Sequence, residues 1–299
     1  MPELPDITVY VEALGRRVTG QPLQHARLRS PFLLRSVSPP IADAEGRTVR
    51  AVTRLGKRVV LELEGELFLV LHLMIAGRLH WKAAGAKPAG KTGLAAFDFP
   101  AGTLTLTEAG TKRRASLHLV RGREELRQFD RGGLEPLATS VADLLARLRS
   151  ENHTLKRALT DPRMLSGVGN AYSDEILHRA RLSPLRLTSK LTDVEGARLH
   201  AALRVVLVEW TDRLRREVGD GFPEHVTAFR AGMAVHGRFR EPCPVCGTPV
   251  QRIRYAENET NYCPACQTDG RLLADRAMSR LLREDWPRSL EEMDERLGK

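Results

Sequence analysis

Cys243-Pro-Val-Cys246 and Cys263-Pro-Ala-Cys266 are two C-x2-C steps with sixteen residues between them. Each step puts two thiolates on one side of a tetrahedral ion, at the spacing of a zinc ribbon. The intervening Val250-Gln251-Arg252-Ile253-Arg254 and Asn261-Tyr262 then supply the two strands of a hairpin. Four protein ligands leave no open coordination position, so the expected cofactor is one structural Zn2+ on Cys243, Cys246, Cys263 and Cys266. Its binding would supply folding energy that so small a unit lacks. Paired redox cysteines are the rival reading, but the 299 residues hold no other thiol. The same count excludes a disulfide framework and fits a reducing, cytoplasmic setting.

Working outward from the ribbon, Val141 to Leu148 opens a run of amphipathic helices that ends near Val218, and Gly219 to Pro223 turns the chain towards the cysteines. Further upstream, from Val49 to about Val120, apolar residues alternate with period two, as in Val59-Val60-Leu61-Glu62-Leu63 and Leu104-Thr105-Leu106. Gly56, Gly65, Gly77 and Gly102 punctuate these runs, which predicts antiparallel strands in a sandwich or barrel. Ile7, Val11, Leu14 and Val18 recur at helical spacing before Gly20 and Pro22. Ala83 to Gly93 reads as an exposed loop. Downstream, Ala274, Ala277, Met278, Leu281 and Leu282 predict a last helix packed on the body.

The fold class is therefore α+β and multi-domain, with an N-terminal helix, an antiparallel β-sandwich, a helical domain and a C-terminal zinc-ribbon hairpin. The boundaries read as 1–131, 132–234, 235–270 and 271–299. With 47 Lys+Arg against 37 Asp+Glu, a formal charge of +10 and a pI near 9.9, the chain suits polyanionic partners. Its N-terminus lacks the basic start and apolar core of a signal peptide. The longest apolar run, Leu67 to Gly77, is interrupted by His72 and is too short to span a bilayer. No membrane role is expected.

Three motifs carry a family resemblance. Pro2-Glu3-Leu4-Pro5-Asp6 is similar to the start of the formamidopyrimidine-DNA glycosylase/endonuclease VIII family. Leu165-Ser-Gly-Val-Gly-Asn170-Ala-Tyr172-Ser-Asp-Glu175 resembles its helix-two-turn-helix signature, and the ribbon sits where the family has its finger. The resemblance implies damaged DNA as partner, a monomer, a bacterial cytoplasmic setting, and base excision followed by strand cleavage at the abasic site. It implies removal of Met1 and attack by the Pro2 amine on the sugar C1′. An N-terminal amine titrates well below a lysine, so more of it is nucleophilic at neutral pH. By the same resemblance Glu3 is the acid/base residue, Lys57 lies near the lesion phosphate, and Lys156 and Asn170 contact phosphate. Gly167 and Gly169 allow the backbone of the turn to approach a phosphate. Taken by itself, Asn170 also reads as a helix cap.

The chain departs from the family at several places. Asp6 stands where the family has Glu. Ile75 occupies the position of the inserted Met, with Met74 beside it. The second insertion loop, Gly110-Thr-Lys-Arg113-Arg114-Ala115-Ser116, lacks the aromatic wedge and leaves Arg113 or Arg114 to face the orphaned base. Asn258 replaces a phosphate-clasping arginine, giving up charge and the bidentate fork. Two other readings compete with the bifunctional enzyme: a non-catalytic damaged-DNA-binding protein on the same scaffold, and an RNA-binding zinc-ribbon protein that leaves the N-terminal motif unexplained.

Overall fold

The computed structural model describes residues 1–88, 90–110, 112–255, 258–274 and 285–296, with the backbone alone at 255, 258 and 294. The chain forms two compact units, Met1–Gly132 with Val208–Ala228, and Gly133–Leu207 with Phe229–Lys299. The stretch 132–234 thus contributes Val208–Ala228 to the first unit.

In the first unit, Pro5 enters helix α1 (Leu4–Val18) in its opening turn, where its missing N–H costs nothing. Ile7, Tyr10, Leu14 and Val18 form the buried stripe, as 3.6-residue periodicity requires. The strands are β1 (His25–Leu28), β2 (Val49–Leu55), β3 (Arg58–Leu63), β4 (Leu67–His72), β5 (Gly77–Lys82), β6 (Gly93–Phe99), β7 (Gly102–Glu108) and β8 (Ser116–Arg121). They make two antiparallel sheets ordered β1-β6-β7-β5 and β2-β3-β4-β8. Val59, Leu61, Leu63, Leu69, Leu71, Leu104, Leu106, Leu117 and Leu119 meet α1 in the main core. The other face of the second sheet is also buried: Val60, Phe68, Val70 and Val120 lie against Leu126 and Phe129, which follow β8 through helix α2 (Gly122–Arg127). Burial on both faces explains why β3 and β4 read as nearly continuous apolar runs. Strand β1, only four residues with no alternation, and α2 were not expected from the sequence.

Two turns position residues of interest. Gly56-Lys57 joins β2 to β3 as a two-residue hairpin in which Leu55 pairs with Arg58, and Gly56 takes φ +60°, a conformation that suits glycine. Between β4 and β5, the Gly77 N–H donates to Leu73 O at 2.9 Å. A Cβ at residue 77 would stand 2.2 Å from that oxygen, so only glycine closes the turn. The 208–228 segment packs through Arg215–Glu12 at 2.6 Å, Phe222 against Tyr10 at 5.7 Å and Glu224–His80 at 2.6 Å.

The second unit contains α3 (Val141–Arg149), α4 (Leu155–Thr160), α5 (Asn170–Arg179), the first part of α6 (Asp193–Val218), the hairpin β9 (Gln251–Tyr255) and β10 (Asn258–Tyr262), α7 (Pro264–Gln267) and α8 (Leu290–Arg296). Ser140 and Thr154 cap α3 and α4, as hydroxyls do for otherwise unpaired N–H groups. Of the residues expected to form the last helix, Ala277, Met278, Leu281 and Leu282 lie outside the described residues. Beyond them, Leu272 N–H donates to Arg288 O at 2.9 Å and the Trp286 indole donates to Leu272 O at 3.4 Å. Among the described residues, no helix is long and apolar enough to cross a membrane.

Candidate active site and nucleic-acid interface

In the first unit, the N-terminal motif folds into a fixed arrangement. Pro2, Glu3 and Asp6 are all buried. Glu3 is the N-cap of α1 and shares a capping box with Asp6; the Glu3 N–H donates to Asp6 Oδ2 at 2.9 Å. Asp6 therefore anchors the backbone that carries Glu3, and the shorter Asp reaches the partner well. Burial pushes the Met1 amine below its ordinary range; Glu3 opposes this, Arg78 adds to it, Asp6 opposes it and Lys57 adds to it. Lys57 thus stands within the electrostatic reach of the N-terminus.

Arg78 escaped the sequence reading. Its guanidinium donates to Ile75 O at 3.1 Å and Gly77 O at 2.7 Å, as well as to Val226 O, so it latches the β4–β5 turn. That turn presents Ile75 with 57% of its surface exposed, while Met74 is half-buried at φ +52°. Nothing in the residue order marks an arginine after a glycine as a latch, because its acceptors are carbonyls of the turn itself and of a segment far along the chain.

In the 110–116 loop, the buried Glu108 carboxylate accepts N–H groups from Arg114 at 3.0 Å and Ala115 at 3.1 Å. Ala115 is buried and offers no wedge. The exposed Arg113 guanidinium donates to Lys91 O at 2.5 Å, whereas the Arg114 side chain is exposed.

In the second unit, α5 is the centre of a polar cluster. Lys156 Nζ donates to Asn170 O at 2.7 Å, Ser173 Oγ at 2.8 Å and Asp174 Oδ1 at 2.5 Å. Its three donors are all engaged, so a phosphate at Lys156 would have to displace one of these partners. Asn170 is not a helix cap: Gly169 holds that position, and Asn170 Nδ2 donates to Glu259 O on β10 at 2.8 Å. The cap reading fails because the backbone at Gly169 is already extended and Asn170 is the first helical residue.

Asp174 and Glu175 had no assigned role in the sequence reading. Asp174 Oδ2 lies 2.8 Å from His236 Nδ1 and 3.1 Å from the Asn261 N–H. Glu175 accepts the N–H groups of Ala234, Val235 and His236 at 2.7, 2.9 and 2.9 Å. Burial raises its pKa, against the lowering effect of those three donors. The two acids bind α5 to the approach of the ribbon and to β10. Their partners lie 59 to 87 residues downstream, where no spacing rule points.

The Sγ atoms of Cys243, Cys246, Cys263 and Cys266 all lie within 4.8 Å of one another. Three of the Sγ–Sγ pairs lie at 3.9, 3.4 and 3.5 Å. A tetrahedron with 2.3 Å arms has edges of about 3.8 Å, so the cluster fits one structural zinc. Gln267 braces it, its Oε1 accepting the Cys263 N–H and its Nε2 donating to Leu182 O, each at 2.9 Å. The buried His178 Nε2 lies 3.3 Å from Cys243 Sγ. The hairpin pairs Gln251–Tyr255 with Asn258–Tyr262. The side chain of Asn258 lies outside the described residues.

Comparison with known proteins matches three segments. Residues 1–116 match the formamidopyrimidine-DNA glycosylase N-terminal domain, 133–213 the formamidopyrimidine-DNA glycosylase H2TH domain, and 240–268 the zinc finger found in FPG and IleRS. Formamidopyrimidine-DNA glycosylase of Thermus thermophilus is 37% identical over 283 residues, covering 90% of this chain and 100% of the relative. An uncharacterized formamidopyrimidine-DNA glycosylase-like protein of Mycobacterium tuberculosis is 43% identical over 151 residues, 50% of this chain and 94% of the relative. The crystal structure of the MutM (Fpg) protein from Thermus thermophilus superposes with a TM-score of 0.75 at 35% identity, covering 89% of this chain and 98% of that one. The Lactococcus lactis Fpg complex with abasic-site DNA shares the fold, with a TM-score of 0.78 at 23% identity over 89% of this chain and 99% of that chain.

Proposed function

This chain belongs to the formamidopyrimidine-DNA glycosylase family, and from that premise we propose that it excises damaged bases through a covalent intermediate on Pro2 and then cleaves the abasic strand by elimination. It is a DNA glycosylase of base-excision repair, and the family supplies its partner, damaged DNA. We assign it to monomers in the bacterial cytoplasm.

The observation that carries the reading is the buried N-terminal arrangement, in which Asp6 holds the Glu3 backbone at 2.9 Å while Lys57 and Arg78 share the field of the terminal amine. Loss of Met1 exposes the Pro2 secondary amine. Burial favours the unprotonated form of such an amine; its lone pair forms the bond to C1′ as the base leaves with the glycosidic electron pair, and the proton of the Pro2 N–H passes to the departing base. Glu3 delivers the proton that the sugar oxygen takes as the ring opens. The resulting iminium has no N–H to lose, so it stays cationic and withdraws electrons while the C2′ proton is removed and the 3′ phosphate departs. Lys57 holds the lesion phosphate. The second unit grips the flanking backbone through Asn170 and the turn Gly167–Gly169, with zinc organising the hairpin. Ile75 or its neighbour Met74 enters the vacated stack, and Arg113 or Arg114 faces the orphaned base.

A second reading, a non-catalytic damaged-DNA-binding protein, draws on buried Ala115, which cannot serve as a wedge. Borohydride trapping with an abasic-site duplex separates the two. Protein that starts at Pro2 forms a covalent adduct, and Pro2→Gly greatly reduces it. Glu3→Gln impairs base excision more than strand cleavage. No adduct from wild-type protein of verified N-terminus would establish the non-catalytic reading.

A further inference from the structure

The outer face of the β2-β3-β4-β8 sheet ends, beside the Gly56-Lys57 turn, in a group of arginines and histidines with no assigned purpose. Arg58 opens β3 opposite His72 on β4, and His72 stands opposite Ser116 on β8. His118, two residues further along β8, packs edge-on to Phe129 with ring centroids 4.8 Å apart. Phe129 also lies under the Arg58 guanidinium at 5.7 Å and takes a 3.2 Å hydrogen bond from Arg58 Nη1 through its carbonyl oxygen. That single bond uses one of five donors. Arg131 and Arg35 are exposed at the edge of the group. Arg131 bears on Arg58 electrostatically, and both Arg58 and Arg35 bear on His118.

Among the described residues, no acid pairs with the arginines of this group, Arg58, Arg35 and Arg131, whereas in the same unit Arg27 pairs with Asp98 at 2.6 Å and Arg50 with Glu64 at 2.7 Å. The histidines supply no compensation: burial first, then Arg58, Lys57 and His118, hold His72 at about 4, so it is neutral at pH 7. A half-buried guanidinium held by stacking and one carbonyl, with like charges around it and, among the described residues, no acid paired to it, is poised to take an anion. A phosphate fits that place by accepting the planar fork.

We propose that Arg58, supported by Arg35 and Arg131, forms a phosphate-binding site that grips the DNA backbone next to the phosphate served by Lys57. The two sites are contiguous because Lys57 and Arg58 are consecutive at one hairpin end. This extra grip compensates for the charge missing at Asn258. Phe129 is its platform: it fixes the guanidinium plane and limits the side-chain entropy lost on binding.

The inference rests on the DNA-repair reading, and the test separates the two. Affinity for a duplex with a tetrahydrofuran abasic analogue is measured against salt concentration for wild type, Arg58→Ala, Arg58→Lys and Arg131→Ala. Arg58→Ala weakens binding about tenfold and lowers the slope of log K against log salt by about 0.9, the value of one phosphate contact. Arg58→Lys keeps the slope and recovers part of the affinity, and Arg131→Ala gives a smaller loss of slope. A change in fold alone would not follow the charge in this way. A scan with single methylphosphonate substitutions should find one phosphate whose neutralisation weakens wild type and leaves Arg58→Ala unaffected. Wild type that binds and traps the duplex while Arg58→Ala retains the full salt slope overturns the phosphate site and leaves the enzyme reading intact. Wild type with no preference for the abasic duplex and no adduct overturns the enzyme reading itself.

Discussion

Replacing Asp174 with Ala tests what holds the ribbon to the helix-two-turn-helix. The Asp174 side chain is fully buried and the Lys156 side chain is 12% exposed, with 2.5 Å between their charged atoms. Removing the carboxylate leaves the ammonium with two neutral acceptors and no counter-ion, a loss of about 3–5 kcal/mol for a broken buried pair. It also strips partners from His236 Nδ1 at 2.8 Å and from the Asn261 N–H at 3.1 Å. A buried donor left unsatisfied costs about 1–3 kcal/mol, and water entering the new space offsets part of that. The expected loss is about 4–6 kcal/mol, comparable to the whole stability of a marginal domain. Asp174→Asn keeps one acceptor and the side-chain volume, and should cost about half as much. Native-state hydrogen exchange of peptides covering 251–262 reads the effect where it acts. The hairpin amides should lose protection in Asp174→Ala, while strands β3 and β4 keep theirs. In a double-mutant cycle with Lys156→Ala the two losses should fall short of additive by about 2–3 kcal/mol. A hairpin destabilised by less than about 1 kcal/mol, or a strictly additive cycle, would refute the clamp.

Three further outcomes are expected. Purified reduced protein should carry one zinc per chain with four sulfur ligands at about 2.3 Å by X-ray absorption, and Cys263→Ser should lose the metal and the hairpin's protection while the sandwich stays folded. Acid should destabilise the first unit through His72, whose folded pKa of about 4 lies below the unfolded value of about 6.5. The unfolded chain takes the proton first, so stability is intact above the unfolded value and falls as pH drops from there towards the folded value. His72→Gln should flatten that part of the pH–stability curve, and an unchanged curve would exclude His72 as its source. Lesion choice should follow the weakened wedge at Ile75 and Ala115: abasic sites, ring-opened purines and oxidised pyrimidines, which cost less to extrude, should be processed faster than 8-oxoguanine opposite cytosine in single-turnover assays. Equal rates would mean that Met74 and the Arg113-Arg114 pair suffice.

The parts legible in the sequence are those whose interactions close within a few residues. The four zinc ligands come from two C-x2-C turns, and a tetrahedral ion needs nothing more than their approach. The stripe Ile7, Leu14 and Val18 and the alternation through β3, β4, β7 and β8 are periodic because each element turns one face to apolar core. The N-terminal and helix-two-turn-helix motifs are similarly local strings. What tertiary structure alone decided depends on contacts whose separation along the chain carries no period. Glu175 finds its partners at Ala234–His236, and Asp174 finds Asn261 across 87 residues. Lys156 and Asn170 carry the residue types of phosphate contacts, but the sequence does not show what their donors meet in the DNA-free chain, where Lys156 donates to α5 and Asn170 to β10, because the buried acid and the hairpin carbonyl arrive from elsewhere. Asp6 gained its role from geometry as well: a carboxylate one methylene shorter still reaches the N–H three residues before it, since the first turn of a helix brings that group back over it. Arg58 reads as any strand-opening arginine until Phe129 folds beneath it, and only packing decides whether a guanidinium faces water, an acid or an open phosphate site.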